Sequence, residues 1–331
     1  MQRSNAGNMM PKVVLSAYFG FGNFGDEAIL SVLLDKLKEA DVTVISRGGA
    51  VDTFDFWAVI RAIWASDILI SGGGSLLQDM TSIKSLLYYC WVIFTALVFR
   101  KKVIIFAQGI GPLNCGFMRV IVKNLLKHCA YISVRDEDSL NLLKSWDIQA
   151  DLVCDPVFEM ALPDAKPKPV VGIQLRGFKN LTDEFLQDLA SAVKEEFSNK
   201  QIKIISLQDS IDLEVCERFQ EFLLGAEIVS GLSVEAVIEE ISRLEYLIAM
   251  RFHALLIARR MGIKTLAINY DPKVERFAAD FGLPIISMEN PDWSVLEVLR
   301  AQKKLSITDK CFDWSGLEKI LTKSLVQASI Q

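Results

Sequence analysis

Strand-like apolar runs alternate with helix-period segments through almost the whole chain. The alternation breaks once, at Ala161-Leu162-Pro163-Asp164-Ala165-Lys166-Pro167-Lys168-Pro169. Three prolines in seven residues remove backbone donors and fix φ, so neither a helix nor a central strand continues through them. Alternating strands and helices build parallel sheets, because parallel neighbours need a long crossover. With 331 residues there is room for two domains of ordinary size. The expected fold class is therefore α/β: a Rossmann-like domain over residues 1–162, a linker at 163–169, a second Rossmann-like domain over 170–331, and a ligand cleft between them.

In the first half the patterns predict strands near 12–17, 42–46, 67–71, 102–107, 131–134 and 151–153, and helices over 27–37 and 136–145. In the second half they predict strands near 170–175, 202–207, 246–249 and 264–268. Helices are expected over 182–198, 213–223, from Ser233, and over 272–281. Closing helices are expected at 294–301 and 315–326, and one or both could cross back to the first domain.

Acidic residues outnumber basic ones, 41 to 36, which argues against broad nucleic-acid binding. The six cysteines are scattered without a C-x-x-C pair, which predicts buried thiols in a reducing compartment. Met1 to Met10 is polar and lacks the apolar core of a secretory signal, so a cytoplasmic location is expected. Two histidines with no ligand spacing predict no metal site. One segment is unusually apolar, Leu86 through Phe99, followed by Arg100, Lys101 and Lys102. A helix needs about 20 residues to span a bilayer. The segment is either a core helix or one that touches a membrane surface.

The polar residues of interest fall after strands and before helices, where ligands of open α/β sheets bind. Gly20-Phe21-Gly22-Asn23-Phe24-Gly25-Asp26-Glu27 has the spacing G-x-G-x-x-G. The next strand ends at Arg47 with no carboxylate, and Asp26 and Glu27 add negative charge, so a dinucleotide site is disfavoured and no cofactor is expected. Gly72-Gly73-Gly74-Ser75 leads to Asp79, and Gln108-Gly109-Ile110-Gly111-Pro112 follows another strand. Arg135 ends a strand before Asp136. Arg251-Phe252-His253 sets a cation and a titratable ring after the strand 246–249, and Asp271-Pro272-Lys273 follows the next strand. There is no P-loop pattern and no G-x-S-x-G elbow.

Together with Asp155-Pro156 and Tyr270-Asp271-Pro272-Lys273, these motifs resemble the polysaccharide pyruvyl transferase family, and most closely its CsaB-type members, from about Val13 to Phe281. The resemblance implies a GT-B-like fold and a ketal-forming transferase. It implies that the pyruvyl group comes from phosphoenolpyruvate and goes to a saccharide, an N-acetylmannosamine-containing, lipid-linked cell-wall precursor. It puts the enzyme in the cytoplasm at the inner face of the membrane, with 86–99 as the candidate contact. His253 is implied as the catalytic acid or base, and Arg135, Arg251 and Lys273 as donor-binding cations. Arg176 also follows a strand and competes with Arg135 for that assignment. Gly22, Asn23, Asp26, Gly73, Gly74, Asp79 and Gln108 are candidate acceptor or loop contacts. The alternatives are a glycosyltransferase of the same fold using a nucleotide sugar, and a non-catalytic saccharide-binding protein.

Overall fold

The computed structural model describes residues 10–80, 82–303 and 314–319. The chain divides at Glu159/Met160 into two units, and residues 314–319 belong to the first. The first unit runs β1 (Lys12–Ser16), α1 (Phe24–Lys36), β2 (Asp41–Ser46), β3 (Val51–Asp52), α2 (Phe56–Ala65), β4 (Ile68–Gly72), α3 (Ile83–Val98), β5 (Lys102–Gln108), α4 (Gly116–Leu126), β6 (Tyr131–Val134), α5 (Glu137–Lys144) and β7 (Asp151–Leu152). The second runs β8 (Val170–Gln174), α6 (Asp183–Glu196), β9 (Gln201–Ile205), α7 (Asp209–Phe222), β10 (Glu227–Val229), α8 (Val234–Ser242), β11 (Tyr246–Ala249), α9 (Phe252–Arg260), β12 (Lys264–Asn269), α10 (Pro272–Phe281), β13 (Ile285–Ser287) and α11 (Val295–Ala301).

Each unit is built on one parallel sheet. The first has the order β3-β2-β1-β4-β5-β6-β7, the second β10-β9-β8-β11-β12-β13. The central strands β1, β4, β5, β8 and β11 are unbroken apolar runs because helices cover both faces. Right-handed crossovers fix which face each helix takes. The connections from β3 to β4 to β5 to β6 step one way across the sheet, which sets α2, α3 and α4 on one face. The step from β1 to β2 goes the other way, which sets α1 on the opposite face. The direction of travel therefore reverses between β1 and β4, and in the second unit between β8 and β11. At such a reversal the loops diverge and leave a crevice at the carboxyl ends of the strands.

The second unit's core gathers Leu186, Leu189 and Val193 of α6, Val215 and Phe219 of α7, and Leu296 and Leu299 of α11 against β8 and β11. In the first unit Trp314 stacks on Phe106 at 5.6 Å, Leu317 is buried, and Glu318 pairs with Lys36 of α1 at 2.8 Å. Residues 315–319 are helical, and the remainder of the helix expected to 326 lies outside the described residues, as do residues 1–9 and Cys311.

Several expectations need correction. Helix α1 starts at Phe24 rather than 27, because Asn23 caps it by accepting from the Gly25 N–H at 3.1 Å. Helices α2 and α4 are not among the expected ones, and on them Trp57, Trp64, Phe117 and Val120 stand exposed among the polar residues. Cys90 and Cys216 are buried and Cys115, Cys129 and Cys154 half-buried, and burial pushes the thiol pKa of Cys90, Cys129 and Cys216 up to about 12. Helix α3 divides the apolar segment between core and surface. Leu86, Tyr89, Val92 and Ile93 are in the core, while Leu87, Phe94 and Val98 are exposed. No helix among the described residues is long and apolar enough to cross a membrane.

Candidate active site

In the first unit the loops after β1 and β4 flank the reversal point. The glycine loop after β1 does not hold its amides open for a phosphate. The Gly20 N–H donates to the Glu27 carboxylate at 2.7 Å, and the Phe21 and Gly22 amides also favour that carboxylate. Burial raises the Glu27 pKa above its ordinary value, and the three amides pull against that shift. Gly22 is exposed with φ +68°, and no atom crowds its missing side chain.

The loop after β4 lies against α1. A Cβ on Gly73 would sit 2.6 Å from Ile29, and one on Gly74 would sit 2.8 Å from the Asp26 carboxylate. Both glycines have φ near +70°, so backbone conformation and close approach each demand the residue. Asp26 is itself buried. Asp79 holds the turn before α4, accepting from the N–H groups of Asn114 at 2.9 Å and Cys115 at 2.7 Å. These amides hold its carboxyl below the ordinary carboxylate value. Gln108 is fully buried, and its amide nitrogen donates to Ser71 at 2.9 Å.

Arg135, at the end of β6, ties this edge together. Its guanidinium donates to Asp155 at 2.8 Å and to Ser75 at 3.1 Å, joining the segments after β4, β6 and β7. Asp155 accepts in turn from the Val157 N–H at 3.0 Å. The side chains of this ion pair are 10% and 2% exposed.

In the second unit β8, β11 and β12 lie side by side, and their carboxyl ends carry Arg176, the Arg251–His253 turn, and Tyr270 to Lys273. Arg251 is the N-cap residue of α9, but its side chain turns inward. Its guanidinium meets Asp212 of α7 through two N–H···O bonds of 2.7 Å each, and donates a third to Gln208 at 3.1 Å. Its backbone N–H donates to the Gln174 side chain at 2.7 Å. Asp212 also accepts from the backbone of Leu207 and Gln208. This charge is therefore spent on a buried carboxylate.

His253 stands in the first turn of α9, half-buried, its ring edge-on to Phe252 at 5.0 Å. Phe252 packs on Phe277 at 5.1 Å, which holds the start of α9 against the middle of α10. Lys273 is in the first turn of α10 with its side chain 40% exposed, 3.7 Å from Asp271. Asp271 caps that helix through the Lys273 N–H at 3.0 Å. Arg176 reaches from the end of β8 to the Tyr270 hydroxyl at 3.1 Å, with its guanidinium carbon 5.4 Å from that ring's centre. Arg176, His253 and Lys273 thus share one sheet edge at its reversal point, while Arg135 belongs to the other unit. Sequence reasoning missed Gln174, Gln208 and Asp212, and placed Tyr270 in a motif without giving it a role. The available signal was a polar residue closing an apolar strand run, at Gln174 and Gln208.

Such an edge can bind a small anion and exchange a proton with it. Two cations and a helix N-terminus supply the attraction, and an imidazole supplies the titratable group. A family model described as polysaccharide pyruvyl transferase matches residues 23–272. No curated protein matches the sequence. Among solved structures, Staphylococcus aureus MnaA with UDP is similar, with TM-score 0.63, 12% identity, and 97% of this chain and 98% of that one covered. A UDP-GlcNAc 2-epimerase of Methanocaldococcus jannaschii has TM-score 0.61 at 11% identity, covering 95% and 99%. A UGT transferase of Siraitia grosvenorii in complex with UDP has TM-score 0.52 at 10% identity, covering 95% and 99%. These likenesses establish a GT-B-like fold of two Rossmann-like units.

Proposed function

The chain belongs to the polysaccharide pyruvyl transferase family, and we propose that it moves the enolpyruvyl group of phosphoenolpyruvate onto a saccharide and closes it as a cyclic pyruvate ketal. One observation carries this reading. A histidine and two accessible cations, His253, Arg176 and Lys273, follow three neighbouring strands at a reversal point.

Phosphoenolpyruvate carries a carboxylate and a phosphate, and charge-assisted hydrogen bonds are the strong way to hold both. Arg176, steadied by Tyr270, and Lys273 take these groups, and the N-terminus of α9 adds a favourable dipole. Arg251 acts through its Asp212 pair as a positioning residue that fixes the turn carrying His253. Arg135 does the corresponding work for the loops after β4 and β7.

The reaction adds a proton to the methylene carbon, which becomes the ketal methyl, and C2 becomes electrophilic. One sugar hydroxyl bonds to C2. The C2–O bond to phosphate then breaks with its electron pair, and a second hydroxyl closes the ring. Of the two hydroxyl protons lost, one balances the methyl group and the other leaves with phosphate. His253 is assigned the proton transfer, the role histidine most often fills.

The CsaB-type motifs support an acceptor that is a lipid-linked cell-wall precursor containing N-acetylmannosamine, handled at the inner face of the cell membrane. Residues 1–162 are assigned the acceptor, through the loops holding Gly22, Asn23, Gly73 and Gly74, and residues 170–331 the donor. The test is incubation with phosphoenolpyruvate and candidate acceptors in heavy water. The reading requires phosphate release and one deuterium in the ketal methyl. Glycosyl transfer from a nucleotide sugar, with phosphoenolpyruvate inert, would overturn it.

A further inference from the structure

Charge is strongly segregated along this acidic chain. Between residues 80 and 135 stand eight lysines and arginines and not one aspartate or glutamate, although the whole chain holds 41 acidic residues. That stretch contains α3 and α4, which lie beside α2 on one face of the first sheet. Helix α2 meets α3 through Phe56 and Trp91, whose ring centres are 5.1 Å apart, and α3 packs on α4.

The outer side of this three-helix layer is apolar. On α2, Trp57 is 72% and Trp64 is 66% exposed. On α3 the exposed residues Ile83, Leu87, Phe94 and Val98 fall on one stripe, with the half-buried Trp91 between them. On α4, Phe117 is 73% exposed and Val120 lies one turn on. Exposed Arg61, Lys84, Arg100, Arg119 and Lys127 are interspersed among them. A soluble surface seldom carries so many clustered aromatics without a partner.

We infer that the outer face of α2, α3 and α4 is a membrane-docking surface that lies on an anionic bilayer. Tryptophan and phenylalanine beside lysine and arginine is the composition that settles at a lipid headgroup boundary. Helix α3 has 16 residues and a length of about 24 Å, so it lies along the interface rather than across it. A second copy of the chain is the less favourable occupant. Two-fold pairing sets the same patch on itself, and here that brings cations against cations. The inference rests on the surface alone and is independent of the acceptor assignment.

The test is sedimentation of the purified full chain with vesicles of phosphatidylcholine alone or mixed with phosphatidylglycerol. The expected result is binding to the anionic vesicles, weakened by salt. Lys84→Gln and Lys127→Gln should each weaken it by about five-fold. Trp57→Ser, Phe94→Ser and Phe117→Ser should weaken binding further while leaving the thermal midpoint in place. Absence of binding to anionic vesicles overturns the inference. So does a wild-type dimer that these three serine substitutions convert to monomer, which would assign the face to a second copy. Vesicle binding is read without turnover, so failure of pyruvyl transfer leaves this result standing.

Discussion

Arg251 and Asp212 are joined by two parallel N–H···O bonds of 2.7 Å each, with side chains 7% and 0% exposed. The arginine of the Arg-x-His turn is therefore a clamp between the starts of α7 and α9. Removing one member strands a buried charge. Arg251→Ala should destabilise the second unit by about 3–5 kcal/mol, measured by urea denaturation. Replacing both residues by leucine should recover much of that loss. An unchanged midpoint with a raised KM for phosphoenolpyruvate would instead make Arg251 a donor-binding residue.

His253 packs beside Phe252 at the helix start, and its removal leaves the Arg251 clamp intact. His253→Ala should keep the fold and lower kcat by about 10²–10⁴-fold. Phosphate release and a thermal melt on the same sample check both halves. Full turnover in this variant takes the imidazole out of the mechanism.

Arg176 and Lys273 are partly exposed, so their loss should cost little stability. Each should remove a charge-assisted contact of about 1.5–3 kcal/mol. That raises KM for phosphoenolpyruvate by about ten- to a hundred-and-fifty-fold. Steady-state kinetics at saturating acceptor provide the readout, and an effect confined to the acceptor's KM would contradict the assignment.

The loop after β4 gives a stability contrast. Gly74→Ala forces an alanine into φ +72° and 2.8 Å from the Asp26 carboxylate, whereas Gly22→Ala at φ +68° meets open space. The first should cost about 2–3 kcal/mol and the second about 1–2 kcal/mol, the left-handed backbone term alone. Thermal midpoints of the two variants should differ in that order.

Two carboxylates of the first unit should show opposite pH dependence. Burial raises Glu27 above the ordinary 4.5, so its ionisation costs stability. That stability is fully present below 4.5 and lost as pH rises through the folded value. Glu27→Gln should thus raise the melting temperature near pH 7, and the gain should shrink toward pH 4.5. Asp79 is held below the ordinary 3.8 by the Asn114 and Cys115 amides. Its contribution is present above 3.8 and lost as pH falls through the lower folded value. Asp79→Asn should therefore lower the melting temperature at pH 7, and the deficit should narrow in acid.

What the sequence determined by itself is the class of fold and the places where chemistry can sit. Apolar runs such as Val170–Gln174 and Ile68–Gly72 need helices on both faces, and that requirement alone yields parallel sheets with polar residues at their carboxyl ends. It located His253, Lys273 and Arg135 on strand ends because periodicity is a local property. Only the tertiary structure decided which partners each of those groups meets. Strand order sets β11 between β8 and β12, and so brings Arg176 against Tyr270, 94 residues away. The same order turns Arg251 inward to Asp212, 39 residues away, and lets Glu27 fill the amide loop of Gly20. A guanidinium or an amide is available to a ligand only if no nearer acceptor has taken it. That competition is settled by distances across the fold, which no local pattern encodes.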